Sequence, residues 1–156
     1  VAFLATKTEP VENSFEYANV SCEVMQDRDT DGSSIVKVKN TGDISAYIRA
    51  AVVANWMDKD ENIAASVPEG YSYDLTCSSG SWAQGKDGFF YYLLPVAPGA
   101  STEGNHLTCT VTCPATPEYT LSVEVLAEAI QSTPANAVNE AWSAAVDGDG
   151  KLSVNR

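Results

Sequence analysis

The sequence is poor in the residues that most enzymes use for chemistry. It contains one histidine, His106, and so cannot form the H-E-x-x-H zinc motif of metallopeptidases, and it has no G-x-S-x-G nucleophile elbow. A serine triad would have to use His106, and so would an activated cysteine. Cys109 lies three residues from His106, an odd spacing that places the two side chains on opposite faces of a strand. We therefore predict no catalytic residue and a protein that is not an enzyme.

Basic clusters and long apolar runs are missing as well. The chain has 9 basic and 21 acidic residues and a formal net charge of −12. Nucleic-acid binding needs clustered Lys and Arg, so the composition argues against nucleic acid as a partner. No apolar run approaches the ~20 residues that cross a bilayer, and we expect no transmembrane segment. The acidity favours solubility and attracts cations such as calcium.

The sequence does not begin with Met, and its first residues are small or apolar: Val1, Ala2, Phe3, Leu4 and Ala5. Such a start fits a chain processed from a longer precursor, the alternative being an artificial boundary. A polar, Pro-containing stretch follows as far as residue 14. We predict that residues 1–14 form an extended N-terminal arm and that residues 15–156 form a single domain, for which their number is sufficient.

The hydrophobic residues, 44% of the chain, mostly follow the period-two alternation of β-strands, with Gly, Asn and Asp turns between the stretches. The predicted strands cover residues 15–24, 35–39, 46–56, 71–77, 89–94, 106–113, 119–130 and 152–154. Thr133 as N-cap and Pro134 at the first helical position predict a short helix near residues 134–143. We therefore predict an all-β fold, an antiparallel two-sheet sandwich of the jelly-roll type, with one short helix.

The four cysteines are Cys22, Cys77, Cys109 and Cys113. An even number in an extracellular domain suggests two disulfides. In an extended strand Cys109 and Cys113 lie ~13 Å apart, too far to bond to each other. We predict that Cys22 and Cys77 pair with these two in one order or the other, the alternative being four free thiols in a reducing compartment.

One acidic segment resembles the first half of a calcium-binding loop. Asp27, Asp29 and Asp31 alternate and are followed by Gly32. An EF-hand has Glu at the twelfth position, where this chain has Val38, and the flanking residues are predicted strands. The alternative is a solvated hairpin turn, and Asp147 and Asp149 are likewise predicted as turn residues. We predict no cofactor, with calcium at the three aspartates as the candidate exception.

Aromatic residues suggest a second type of site. Trp56, Trp82, Trp142 and the run 89–92 would form a surface for stacking sugar rings if they were exposed. The alternative is that they pack in the core. Because alternate residues of a strand face opposite sides, half of the run 89–92 must face solvent, a second layer or a partner.

Four blocks of the sequence, in order, resemble the TasA/camelysin-like family. The first comprises Val1-Ala-Phe-Leu-Ala-Thr6, Asn13-Ser-Phe15 and Ala18-Asn-Val20, and the second Val38-Lys-Asn-Thr-Gly-Asp43 with Ala46-Tyr-Ile-Arg49. The third is Asp87-Gly-Phe-Phe-Tyr-Tyr92 with Leu94-Pro-Val-Ala-Pro-Gly99. The fourth joins Tyr119-Thr-Leu-Ser-Val-Glu-Val125, Ala129-Ile-Gln131 and Ala141-Trp142. The resemblance covers roughly residues 2 to 146, although the four cysteines and the short chain depart from the family pattern.

The resemblance implies a secreted protein of the Gram-positive cell surface or biofilm matrix, exported with a SipW-type signal peptide and folded as a jelly roll. It also implies self-association, here through the N-terminal arm, or contact with other surface proteins. A carbohydrate- or protein-binding module is the alternative. The metallopeptidase activity attributed to camelysin-type relatives is disfavoured because the zinc motif is missing.

Overall fold

The computed structural model describes residues 19–28, 34–77, 80–102, 107–142 and 144–155, with the backbone alone for residues 26–28, 34, 35, 107 and 108. The described strands, in chain order, are β1 (Cys22–Arg28), β2 (Ser34–Asn40), β3 (Ala46–Met57), β4 (Ser72–Cys77), β5 (Trp82–Gln84), β6 (Phe90–Tyr92), β7 (Leu107–Thr112), β8 (Thr120–Gln131), β9 (Ala144–Val146) and β10 (Leu152–Val154). Helix α1 (Asn136–Ala141) lies between β8 and β9.

The strands form two four-stranded sheets and one hairpin, and their pairings are antiparallel. Sheet A has the order β1-β2-β7-β4 and sheet B the order β5-β6-β3-β8, while β9 pairs with β10. The longest pairing joins β3 to β8 over their full lengths, from Ala46 opposite Gln131 to Met57 opposite Thr120. The predicted all-β antiparallel sandwich is confirmed, and the closer description as a jelly roll stays a prediction.

The inner core lies between the two sheets. Alternate residues of β2 and β3, among them Val36, Val38, Ile48 and Ala50, are buried there. Phe90 of β6 lies in the same cluster. The period-two pattern of the sequence thus has its expected physical cause, since one face of each strand is removed from water.

A second core lies on the opposite face of sheet B. Tyr47 and Tyr91 point away from sheet A and pack with Val138 and Trp142 of the helical segment and with Leu152 of β10. Residues 89–92 therefore alternate as predicted. Phe90 and Tyr92 face the inner core, and Phe89 and Tyr91 face the second core. The molecule has three layers where it was expected to have two.

The helix begins later than predicted and lacks the predicted cap. Its N-cap is Ala135, which makes no side-chain capping bond, and the peptide bond between Thr133 and Pro134 is cis. Thr133 and Pro134 therefore belong to the connection from β8 and not to the helix.

The first strand also differs from its prediction. β1 begins at Cys22 and continues through Asp27 to Arg28, so that Asp27 belongs to a strand and not to a turn. The sequence predicted no strand at β5 or β9, because Trp-Ala-Gln and Ala-Ala-Val do not alternate between apolar and polar residues, as the Leu-Ser-Val of β10 does.

Candidate functional site

The predicted assembly arm, including Val1, Ala2, Phe3, Leu4 and Ala5, lies outside the described residues. Asn19, the first described residue after the arm, is hydrogen-bonded to the loop after β2. The Asn19 amide donates to Asp43 Oδ1 at 2.7 Å, and the Asp43 amide donates to the Asn19 carbonyl at 3.0 Å. A Cβ on Gly42 would collide with the Asn19 carbonyl oxygen, so this close approach requires glycine. Any segment preceding Asn19 therefore starts from a fixed point on the domain.

Two long strands form the edges of the sandwich on one side. Within the described chain, β1 pairs with β2 alone and β8 pairs with β3 alone. β1 and β8 lie next to each other, one at the edge of each sheet. Unpaired edge strands are templates on which another extended segment can add. Sequence analysis could not find these edges, because alternation identifies a strand without giving its neighbours.

The outer face of sheet B carries exposed apolar side chains beyond the second core. Leu126 of β8 is 62% exposed, and Val53 of β3 is 42% exposed. Val53 is opposite Glu124, and Leu126 is opposite Ala51, so the two apolar side chains lie diagonally across the β3–β8 pair. The α1 and β9–β10 layer covers Tyr47 and Ile130 at the other end of this face.

Arg49 connects sheet B to the third layer. Its guanidinium lies 3.9 Å from the centre of the Phe89 ring and 4.8 Å from that of the Trp142 ring. Nη2 is 2.7 Å from Glu128 Oε2, and Nε donates to the same oxygen at 2.8 Å. Burial, followed by a hydrogen bond to Asp87, raises the pKa of Tyr91, whose hydroxyl group is 3.4 Å from Arg49 Nη1. These polar groups are satisfied by one another, so the cluster stabilises the layers and offers no free reactive group.

The calcium prediction is not tested by the described side chains. Asp27 is described by its backbone in β1, while Asp29 and Asp31 lie outside the described residues. Asp147 forms a turn as predicted, because its Oδ1 accepts the amides of Asp149 and Lys151, each at 2.9 Å. Where side chains are described, no three His, Cys, Asp or Glu residues lie together as metal ligands.

The predicted stacking surface of aromatic residues is wrong in most of its members. Trp82 and Trp142 are buried, and so are residues 90–92. Trp56 is partly exposed and packs against Tyr71, with ring centres 5.3 Å apart. Tyr71 also contacts Tyr119 at 5.3 Å, and Tyr73 is 41% exposed beside Trp56. Of the predicted rings, Trp56 and Phe89 keep part of their surface exposed, and Trp56 belongs to a cluster with three tyrosines that the sequence did not indicate.

The predicted disulfides are not seen in the structure, where Cys22, Cys77, Cys109 and Cys113 are not bonded to one another. Cys22 is opposite Asn40 at one end of β2, and Cys109 is opposite Ser34 at the other end. Six residues of extended chain separate these positions by about 20 Å, far beyond disulfide reach. Cys77 and Cys109 are diagonal neighbours on β4 and β7 but are not bonded.

The inward-facing thiols are poor nucleophiles. Burial, with a smaller contribution from the Glu128 carboxylate, raises the pKa of Cys22 to about 11. Burial and then Asp74 raise the pKa of Cys109. A raised pKa keeps a thiol protonated and unreactive at neutral pH. His106 lies outside the described residues, so the structure does not test the predicted separation of His106 from Cys109.

The described residues contain no helix with the length and hydropathy needed to cross a bilayer. Comparison of the chain with protein-family models, with curated proteins and with solved structures gave no match.

Proposed function

We propose that the protein is a secreted structural component of the cell surface or extracellular matrix that self-associates through its N-terminal arm. The observation that carries this proposal is that, among the described residues, β1 pairs with β2 alone and β8 with β3 alone, at adjacent edges of the sandwich. An extended segment that adds to such an edge gains backbone hydrogen bonds, and its alternate side chains, here Phe3 and Ala5, fill pockets.

Residues 1–18 can reach a neighbouring molecule. Fully extended they span about 60 Å, more than the width of a domain of this size. Because the donor segment and the acceptor edge are different surfaces, such a contact is head-to-tail and can propagate into a fibre. The resemblance to the TasA/camelysin-like family supports the same function and the secreted location.

Deleting residues 1–8 tests the proposal. We expect the truncated chain to keep its melting temperature and to lose the assemblies that the full chain forms, as seen by negative-stain microscopy. A loss of several degrees of melting temperature would mean that the segment completes its own sheet. A full chain that stays monomeric at high concentration would also contradict the proposal.

The aromatic cluster of Trp56, Tyr71, Tyr73 and Tyr119 supports a second candidate, a carbohydrate-binding module. Aromatic faces stack on sugar rings, and the four rings lie at one end of the sandwich. Trp82 and Trp142 are buried, so quenchable tryptophan fluorescence should come from Trp56. Protection of this fluorescence from acrylamide by a glycan, lost in Tyr73→Ala, would favour this function. A glycan panel without binding would exclude it.

A further inference from the structure

Among the described residues, the third layer covers only one end of the outer face of sheet B. Beyond that end, Ala51 opposite Leu126 and Val53 opposite Glu124 present their side chains on the same face. Leu126 and Val53 are exposed there. The part of β8 from Thr120 to Leu126 extends about 20 Å. This face is therefore long enough, and apolar enough, to be covered by a segment of another protein.

Glu124 is an exposed carboxylate in the middle of this apolar surface. It is directly opposite Val53 and lies two residues from Leu126 on the same side of β8. Arg49 is the one basic residue of β3 and β8, and its guanidinium is bonded to Glu128. Within the part of the chain that the structure describes, Glu124 forms no ion pair. Its charge is thus available to a cation from outside.

A groove of about 670 Å³ lies at the end of this face away from the third layer. Met57, which faces the same side as Val53, lines the groove together with Asp58 and Glu61. The basic lining residue Lys59 has its Nζ 3.7 Å from Oε1 of Glu118, an acidic side chain. The groove therefore adds negative charge to the face.

We propose that the outer face of sheet B, from Leu126 to this groove, binds a partner protein through a segment in which bulky apolar side chains stand next to Lys or Arg. The apolar side chains of the partner cover Leu126 and Val53, and a neighbouring cation meets Glu124. Charge complementarity selects this partner. A wholly apolar segment would bury the Glu124 carboxylate without a partner, which is costly.

A second copy of this chain is a poor match for the same face. Each copy carries a net charge of −12, so two copies repel each other. A twofold contact that covers both faces also brings the two Glu124 carboxylates into one interface. The inference goes beyond the proposed function, because the partner is a different protein and the N-terminal arm takes no part in the contact.

Sheet A offers a matched control for this face. Glu23 and Met25 of β1 are exposed and lie two residues apart on its outer side, as Glu124 and Leu126 do on β8. Glu23 is directly opposite Lys39, so its carboxylate already faces a cation of its own sheet. The two pairs of residues thus have equal charge and similar apolar surface but different surroundings.

The probe is a short fluorescein-labelled peptide in which Leu and Lys alternate, and its binding to the full chain is measured by fluorescence anisotropy. We expect Leu126→Ser to weaken binding about tenfold and Glu124→Gln about threefold. Glu23→Gln and Met25→Ser should leave the affinity unchanged. Peptides with Ser in place of Leu, or with Glu in place of Lys, should not bind. All four variants change exposed side chains and should keep the melting temperature.

Equal losses of affinity for the variants of both sheets would mean that net charge alone attracts the peptide, and the inference would be wrong. Absence of binding to the full chain would also overturn it. Binding that appears only after deletion of residues 1–8 would identify the N-terminal segment as the occupant of the face. A dimer of the full chain that Leu126→Ser dissociates would identify a second copy, and either result contradicts a separate partner.

The same deletion separates this inference from the proposed function. If both are right, the chain without residues 1–8 loses its assemblies and binds the peptide as the full chain does. Assembly without peptide binding refutes the inference alone, and peptide binding without assembly refutes the proposed function alone.

Discussion

At the scale of single residues, the side chain of Asn40 joins two loops by hydrogen bonds. It is fully buried at the end of β2. Its Nδ2 donates to the carbonyls of Ile44 and Val96, each at 2.8 Å, and its Oδ1 accepts the Gly42 amide at 2.9 Å. One side chain thus satisfies three backbone groups of two different loops. The sequence predicted a turn at residues 40–42, but it gave no indication of the bond to Val96, which comes from the fold.

We expect Asn40→Ala to reduce the free energy of unfolding by roughly 3 kcal/mol, because it removes three hydrogen bonds made by a buried side chain, each worth about 1 kcal/mol. Urea denaturation of the two proteins measures this change. Asn62→Ala is the control, since Asn62 is exposed and no hydrogen bond to its side-chain amide is described. A loss at Asn40 no larger than at Asn62 would mean that water replaces the three bonds.

The cysteines permit a second test at this scale. Iodoacetamide at neutral pH should modify Cys113 first, because this residue is exposed, and Cys22 and Cys109 last, because burial raises their pKa values. Mass spectrometry of peptides gives the order. After unfolding without reductant, all four thiols should react; any cysteine that reacts only after reduction would restore the disulfide hypothesis.

At the scale of elements, the Arg49 guanidinium joins the third layer to sheet B in addition to the apolar contacts of the second core and the hydrogen bond from the Tyr47 hydroxyl to the Gly150 carbonyl. Arg49 of β3 contacts Phe89, Trp142 and Glu128, which come from three other parts of the chain. The Arg49 side chain is 15% exposed and that of Glu128 is 43% exposed, so the ion pair is only partly shielded from water. The contribution of this ion pair to the free energy of unfolding should therefore lie between those of surface and buried ion pairs.

Arg49→Met should reduce stability by about 1–2 kcal/mol through the lost pair and the lost ring contacts. Glu128→Gln should cost less, since the ring contacts remain. The double variant should be more stable than the sum of the two losses predicts, because the pair is broken only once. Thermal unfolding of the wild type, the two single variants and the double variant measures the coupling energy between Arg49 and Glu128. Strictly additive losses of stability would show that the ion pair contributes nothing.

The elements were predictable to different degrees. β3 and β8 were placed nearly to the residue, because long alternation has one interpretation. β5 and β9 were not, because their residues do not alternate between apolar and polar, as those of the equally short β10 do. The sugar-stacking surface failed at Trp82 and Trp142 for a related reason: an aromatic pattern does not tell an exposed face from one covered by a second layer. The β8 edge required the strand order, which depends on contacts distant in sequence.

At the scale of the whole molecule, the net charge of −12 opposes association between copies of the chain. Two copies repel each other at a distance, and added salt screens this repulsion. The side chains of Val1 to Ala5, which the proposed arm contact would bury, are uncharged and require no ion pair between copies. Association should therefore become stronger as salt is added, in contrast to an interface held together by opposite charges.

We expect the associated fraction to rise between about 0.02 M and about 0.5 M NaCl, as measured by sedimentation. Magnesium and calcium chloride at equal ionic strength should act alike on this association. A larger effect of calcium, lost when Asp27, Asp29 and Asp31 are replaced by Asn, would instead support a site at these residues. Weaker association at high salt would contradict the interface proposed here.

The two cores share the four strands of sheet B, and this sharing sets the tolerance of the molecule to insertions and deletions within them. Even-numbered residues of β3, such as Ile48, face the inner core, while Tyr47 faces the second. Removing one residue from the middle of β3 would exchange the two faces beyond that point and present each core with side chains shaped for the other. A lineage that keeps this fold can thus vary its loops in length, but it must conserve the spacing within β3 to the residue.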